Sequence, residues 1–191
     1  MLRVEDQVRK LAAFTSVLLM ATAEALAQEN QTRPVKRIVV SIPDRKLAVM
    51  QEGKVVKIFA TAVGAPQSPS PTGSFKIVEA LANPTWYGKG KIVRPGANNP
   101  IGTRWLGLSL KGYGIHGTNA PGSIGHNVSH GCIRLRNRDI EELFTLVTTG
   151  DQVELYGERT TETAQIFGTA TQAAPAAAPV ATVAAVTGEQ Q

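Results

Sequence analysis

The chain has 191 residues, a net charge of +5 and 42% hydrophobic residues, enough for one core but with few long apolar runs. Its single cysteine excludes an intramolecular disulfide framework. Its ten aromatic residues, with no Lys/Arg run interleaved among them, exclude a base-stacking nucleic-acid surface, so no nucleic-acid partner is expected.

Residues 1–27 read as a secretory signal. Arg3, Arg9 and Lys10 give a basic start, diluted by Glu5 and Asp6, and an apolar run follows from Leu11 to Ala23. Ala25-Leu26-Ala27 supplies a small-x-small cleavage site, placing the mature start at Gln28. The competing reading is an uncleaved anchor, but the apolar run falls short of the roughly 20 residues a spanning helix needs. The mature form is therefore expected in the periplasm or cell envelope without a membrane span. Residues 28–35 form a short linker to one domain, residues 36–157. Residues 28–159 carry 17 Lys and Arg against 10 Asp and Glu, a net of +7, which attracts anionic polymers such as cell-wall glycan.

The first half of that domain reads as strands. Arg37–Ile42 is a short apolar run, Pro43-Asp44 a turn, and Lys46–Gln51 a second strand. Glu52-Gly53 is a two-residue hairpin turn into Val55–Val63, rich in β-branched residues. Pro66, Pro69 and Pro71 make the next segment a loop, and Ser74–Ala80 returns to strand. Residues 82–103 read as one long irregular stretch, a length that is usually functional. Trp105–Leu110 and Tyr113–His116 are strands, the second delivering His116 at its end, and residues 117–129 are loop.

One helix is clear. Ile140, Leu143, Phe144 and Val147 follow the i, i+3, i+4, i+7 spacing, with Asn137 as the predicted N-cap, Asp139 in the first turn and Gly150 as the stop. Gln152–Tyr156 closes the domain. Many strands and one helix predict a mostly-β sandwich or barrel-like fold. Residues 160–191, dominated towards the end by Ala, Pro and Thr, are expected to be a disordered tail.

The chemistry concentrates in Ser129-His130-Gly131-Cys132-Ile133-Arg134-Leu135, preceded by His116-Gly117-Thr118. A lone cysteine in an exported chain is intermolecular, buried and inert, or reactive, and flanking histidines favour reactive. Acyl transfer by a thiol needs a base, for which His116, His130 and the more distant His126 are candidates. It also needs backbone N–H groups for the oxyanion, which a tight turn at Gly131 can aim, and a fixed cation for an anionic substrate group, which Arg134 can supply. Zinc held by His116, His130 and Cys132 is the sharper competitor, weakened by the lack of a fourth ligand nearby, so no metal is assigned. No dinucleotide, P-loop or EF-hand signature is present, so no cofactor is expected.

These residues resemble the signature of the L,D-transpeptidases, the YkuD-type catalytic domain. Pro71-Thr72-Gly73-Ser74-Phe75 and Asn98-Asn99-Pro100-Ile101-Gly102 resemble further segments of that family, so the likeness covers nearly all of residues 36–157. The resemblance implies the family's β-sandwich and a cysteine acyltransferase acting on peptidoglycan stem peptides. Cys132 would attack the bond between the third-residue diamino acid and the terminal D-Ala of a donor tetrapeptide. The amine of a neighbouring stem would then resolve the thioester into a 3→3 cross-link. By resemblance His116 is the general base, the His130 backbone carbonyl orients it, and Gly131 and Cys132 N–H groups line the oxyanion hole. Arg134 holds a substrate carboxylate or the cysteine loop, and Ser129, Gly117, Thr118 and Asn137 support the site. Water as acceptor would give an L,D-carboxypeptidase, and a lipoprotein amine would give attachment to the wall. A non-catalytic wall-binding module is the alternative of another class.

Overall fold

The computed structural model describes residues 34–88 and 90–168. The signal segment, most of the predicted linker and the tail beyond residue 168 lie outside the described residues. Among the described residues, twelve strands carry the fold. Three of them, β1 (Arg37–Ser41), β2 (Lys46–Gln51) and β3 (Lys54–Ala60), form an antiparallel meander. Glu52 (φ 51°) and Gly53 (φ 74°) are both left-handed in the β2–β3 turn, as a type I′ hairpin requires.

The strand β5 (Gly73–Ala82) positions everything else. Its first residues pair with β12 (Gln152–Tyr156), and after a bulge between Ile77 and Glu79 it pairs with β8 (Arg104–Leu108). Bulged strands that change partners make the corners of sandwiches. With β9 (Gly114–His116) and β11 (Ile133–Arg134) the result is one curled eight-stranded sheet, ordered β11-β9-β8-β5-β12-β1-β2-β3. One core joins its two halves: Ile38, Val40, Leu47 and Val49 from one side, and Ile77, Leu106, Ile115 and Ile133 from the other. Helix α1 (Asn137–Leu146) adds Ile140 and Leu143, both fully buried, to the same core. The molecule is mostly β, as the sequence predicts.

Three details differ from sequence expectation. The irregular stretch 82–103 contains a hairpin, β6 (Trp86–Gly88) with β7 (Lys91–Val93). Two further short strands, β4 (Val63–Gly64) and β10 (Asn127–Ser129), pair in parallel beside the cysteine segment. The predicted tail also begins too early. Residues Thr161–Phe167 form helix α2, opened by a reciprocal cap between Thr160 and Thr163. Ile166 and Phe167 cover Val39, Ala48 and Met50 on the outer face of the sheet. Glu162 pairs with Arg37 and accepts the Tyr156 hydroxyl at 3.0 Å. This explains why β1 is an unbroken apolar run, since it is buried on both faces.

Candidate active site

Four strands build the floor of a cleft of about 760 Å³. Cross-strand pairing sets Leu81, Trp105, His116 and Arg134 in one row across β5, β8, β9 and β11. Directly paired residues share a face, and all four line the cleft. Cys132, Ser129 and His130 line it from the turn between β10 and β11. His126 is exposed and does not line it.

The cysteine turn is held by one hydroxyl. Ser129, 1% exposed, donates to the Cys132 carbonyl at 2.6 Å and accepts the Gly131 N–H at 3.0 Å. Gly131 sits at φ 106°, where a Cβ would lie 2.6 Å from the Tyr113 ring, so only glycine fits. Beyond the turn, β11 is bonded in both directions to Ala62, at 2.9 Å each way. The Gly131 N–H, expected to serve the oxyanion, donates to Ser129 in the ligand-free cleft. The Cys132 N–H has no hydrogen-bond partner among the described residues.

The thiol contacts the Gly112 carbonyl at 3.8 Å. Burial pushes its pKa above the ordinary thiol value, while a Gly114 backbone hydrogen bond and the Arg134 charge pull the other way. The balance of these effects favours the neutral thiol.

His116 is 4% exposed. Its Nδ1 lies 2.6 Å from the Gly117 carbonyl, which can only accept, so Nδ1 carries the proton and Nε2 is free. The orienting carbonyl is that of Gly117 and not of His130, because Nδ1 has a single proton to give. His130 instead is an exposed residue on the cleft wall. The Trp105 ring stacks on His116, with centroids 5.6 Å apart and planes at 25°. Burial lowers the His116 pKa to about 4; the Gly117 bond opposes the shift and the Arg134 charge adds to it.

Asn137 is the first residue of α1 and not its cap; Arg136 holds the cap position without a side-chain bond. Its side chain is turned elsewhere. Oδ1 accepts the N–H of Thr118 at 3.1 Å and of Thr103 at 3.3 Å, wedged where any Cβ on Gly102 or Gly117 would collide with it. Thr118 continues the loop by accepting the Ala120 N–H at 3.0 Å. Asn137→Ala leaves two backbone donors unpaired, so it should cost roughly 2 kcal/mol or more. We expect denaturant melts to show that loss, with kcat falling more than KM because the His116 loop loosens.

Arg134 lines the cleft, and its Nε is buried without a hydrogen-bond partner among the described residues. An orphaned guanidinium donor in a cleft suits an anionic ligand group. Among the described residues no group of three or more His, Cys, Asp or Glu is disposed to hold a metal. Sequence reasoning passed over Asn99, which is fully buried. Its Nδ2 reaches the Pro84 carbonyl at 2.7 Å and the Val93 and Arg94 carbonyls at 3.3 Å, tying the β6–β7 lobe to the cleft. The Asn98-Asn99-Pro100-Ile101-Gly102 segment was visible as a family likeness; the distant partners of Asn99 were not.

The L,D-transpeptidase catalytic domain family (YkuD) matches residues 35–155. A putative L,D-transpeptidase YkuD of Bacillus licheniformis is 41% identical over 119 residues, 62% of this chain and 64% of that protein. A putative L,D-transpeptidase YqjB of Bacillus subtilis is 36% identical over 143 residues, 72% of this chain and 81% of its own length. The chain thus spans just under two thirds of the first of these relatives. Among solved structures, LD transpeptidase LdtMt1 in complex with imipenem superposes with a TM-score of 0.54 at 25% identity, covering 64% of this chain and 59% of that one.

Proposed function

We propose that this chain, which belongs to the L,D-transpeptidase (YkuD) family, is a cysteine acyltransferase that cross-links peptidoglycan stem peptides. The observation that carries it is the pairing of a cleft cysteine with a buried imidazole whose Nδ1 is tied down and whose Nε2 is free. Sγ of Cys132 attacks the carbonyl of the donor's third residue, and its proton passes to Nε2 of His116. The oxyanion is met by the Cys132 N–H. The C–N bond to D-Ala then breaks, and His116 returns the proton to the leaving amine. An amine of a second stem attacks the thioester, gives a proton to His116, and expels the sulfur, which is reprotonated. The product is a 3→3 cross-link.

Proton transfer occurs as the new bond forms, because the resting thiol and imidazole are both neutral. Arg134 holds a substrate carboxylate, and Ser129 keeps the nucleophile's turn closed. Imipenem, bound to the solved relative, is expected to acylate Cys132. Residues 1–27 direct export to the periplasm or envelope, and residues 36–157 are the catalytic unit. Mass analysis of products from a disaccharide-tetrapeptide tests the reading. A dimer lighter by one D-Ala is expected. Tripeptide alone would make the chain a carboxypeptidase, and an unconsumed substrate would leave a wall-binding module.

A further inference from the structure

The cleft holds charges of both signs, and only one is negative. Glu79 is the sole carboxylate among its lining residues, which also include Arg134, His116 and His130. None of the ion pairs among the described residues includes it. One of its oxygens accepts the Trp105 Nε1–H at 2.9 Å, which fixes the carboxylate.

Its place on the sheet relates it to the nucleophile. Glu79 pairs with Gly107, and Gly107 with Gly114. Ile115 pairs with Ile133, so Cys132 falls beside Gly114, and a Gly114 backbone bond does reach its sulfur. Glu79 and Cys132 thus end one row, with two glycines between. Those glycines are required because the Trp105 ring lies over them: a Cβ at Gly114 would sit 2.6 Å from the indole, and one at Gly107 3.0 Å. The floor between carboxylate and thiol is a flat aromatic shelf. Three strand spacings separate its ends, about 14 Å.

We infer that Glu79 reads the donor substrate, binding the distal ammonium of its third-residue diamino acid while Cys132 attacks that residue's carbonyl. The inference rests on the transpeptidase function proposed for the chain. An extended side chain of this type carries its nitrogen about 7 Å from its own carbonyl carbon. Contact distances at the two ends extend the reach to as much as about 13 Å, enough to span from the thiol to the carboxylate, whose Oε2 reaches back over Gly107. The methylenes would lie on Trp105, and the ammonium would meet an unpaired carboxylate. The acceptor amine cannot use this position, since it must approach the thioester itself.

The test compares a donor tetrapeptide bearing the free distal amine with one in which that amine is acetylated. Wild-type kcat/KM should favour the free amine about tenfold, as expected for a charged hydrogen bond. Glu79→Gln still accepts from Trp105, so the shelf stays in place, yet the ratio should fall to near one. Glu79→Lys should invert it. A ratio that is unchanged in Glu79→Gln would overturn the inference and leave Glu79 as a prop for Trp105. The same ratio, read as binding affinities to the Cys132→Ala protein by calorimetry, tests Glu79 separately from turnover. A chain that binds the two peptides equally refutes the amine subsite. A chain that prefers the free amine but never turns it over supports the subsite and refutes the transpeptidase reading.

Discussion

Cys132→Ala protein consumes no tetrapeptide and gains no mass from imipenem, whereas the wild type gains a single adduct; this is the largest effect expected from one substitution. The thiol is the only nucleophilic sulfur in the chain, and removal of a covalent nucleophile lowers turnover by roughly 10⁴-fold or more. The fold should survive. Sγ contacts backbone, the Gly112 carbonyl at 3.8 Å and the Gly114 amide, and the bond from Ser129 ends on the Cys132 backbone, which alanine retains. A melting midpoint close to that of the wild type, beside a vanished adduct, separates loss of chemistry from loss of structure. Because burial holds the thiol pKa above its ordinary value, alkylation by iodoacetamide should climb steadily between about pH 7 and 10. A rate flat down to pH 5 would mean a preformed thiolate, and adduct formation on Cys132→Ala protein would move the nucleophile elsewhere.

The strands were legible because their apolar residues alternate or run together over short lengths bounded by Gly and Pro, as in Lys46–Gln51, which the sequence places at its true boundaries. The cysteine motif was legible because its residues lie within a few positions of one another. What escaped depends on contacts far apart in the chain. Asn137 sits where a helix cap belongs, but Thr118 and Thr103 offer its Oδ1 two backbone donors, and no local pattern announces them. Nor does the motif announce that Ser129 holds the Gly131 N–H. Helix α2 has little apolar content and owes its place to Ile166, Phe167 and the pairing of Glu162 with Arg37, 125 residues away. The thiol's neutrality escaped for a related reason. Charged neighbours are visible in sequence, whereas the desolvation that outweighs them is a property of the closed cleft.

His116→Ala should slow acylation of Cys132 by roughly 10²- to 10⁴-fold, the usual contribution of a general base. Its pH behaviour identifies the role. Burial sets the His116 pKa at about 4, so Nε2 can accept a proton throughout the neutral range, and the acid limb of kcat/KM should fall near pH 4. The same shift has a sign in stability. The folded imidazole sits below its unfolded value of 6.5, so the unfolded chain binds the extra proton between those values. The stabilisation is complete above pH 6.5 and is lost as the pH falls towards 4. At about 1.4 kcal/mol per unit, this costs roughly 3 kcal/mol across the window. His116→Gln should flatten that stretch of the stability curve, because glutamine does not titrate. Trp105 would keep a planar neighbour in place of the imidazole with which it stacks. Acylation barely slowed in His116→Ala would transfer the base to His130. That residue is the other imidazole on the cleft wall, and it is exposed.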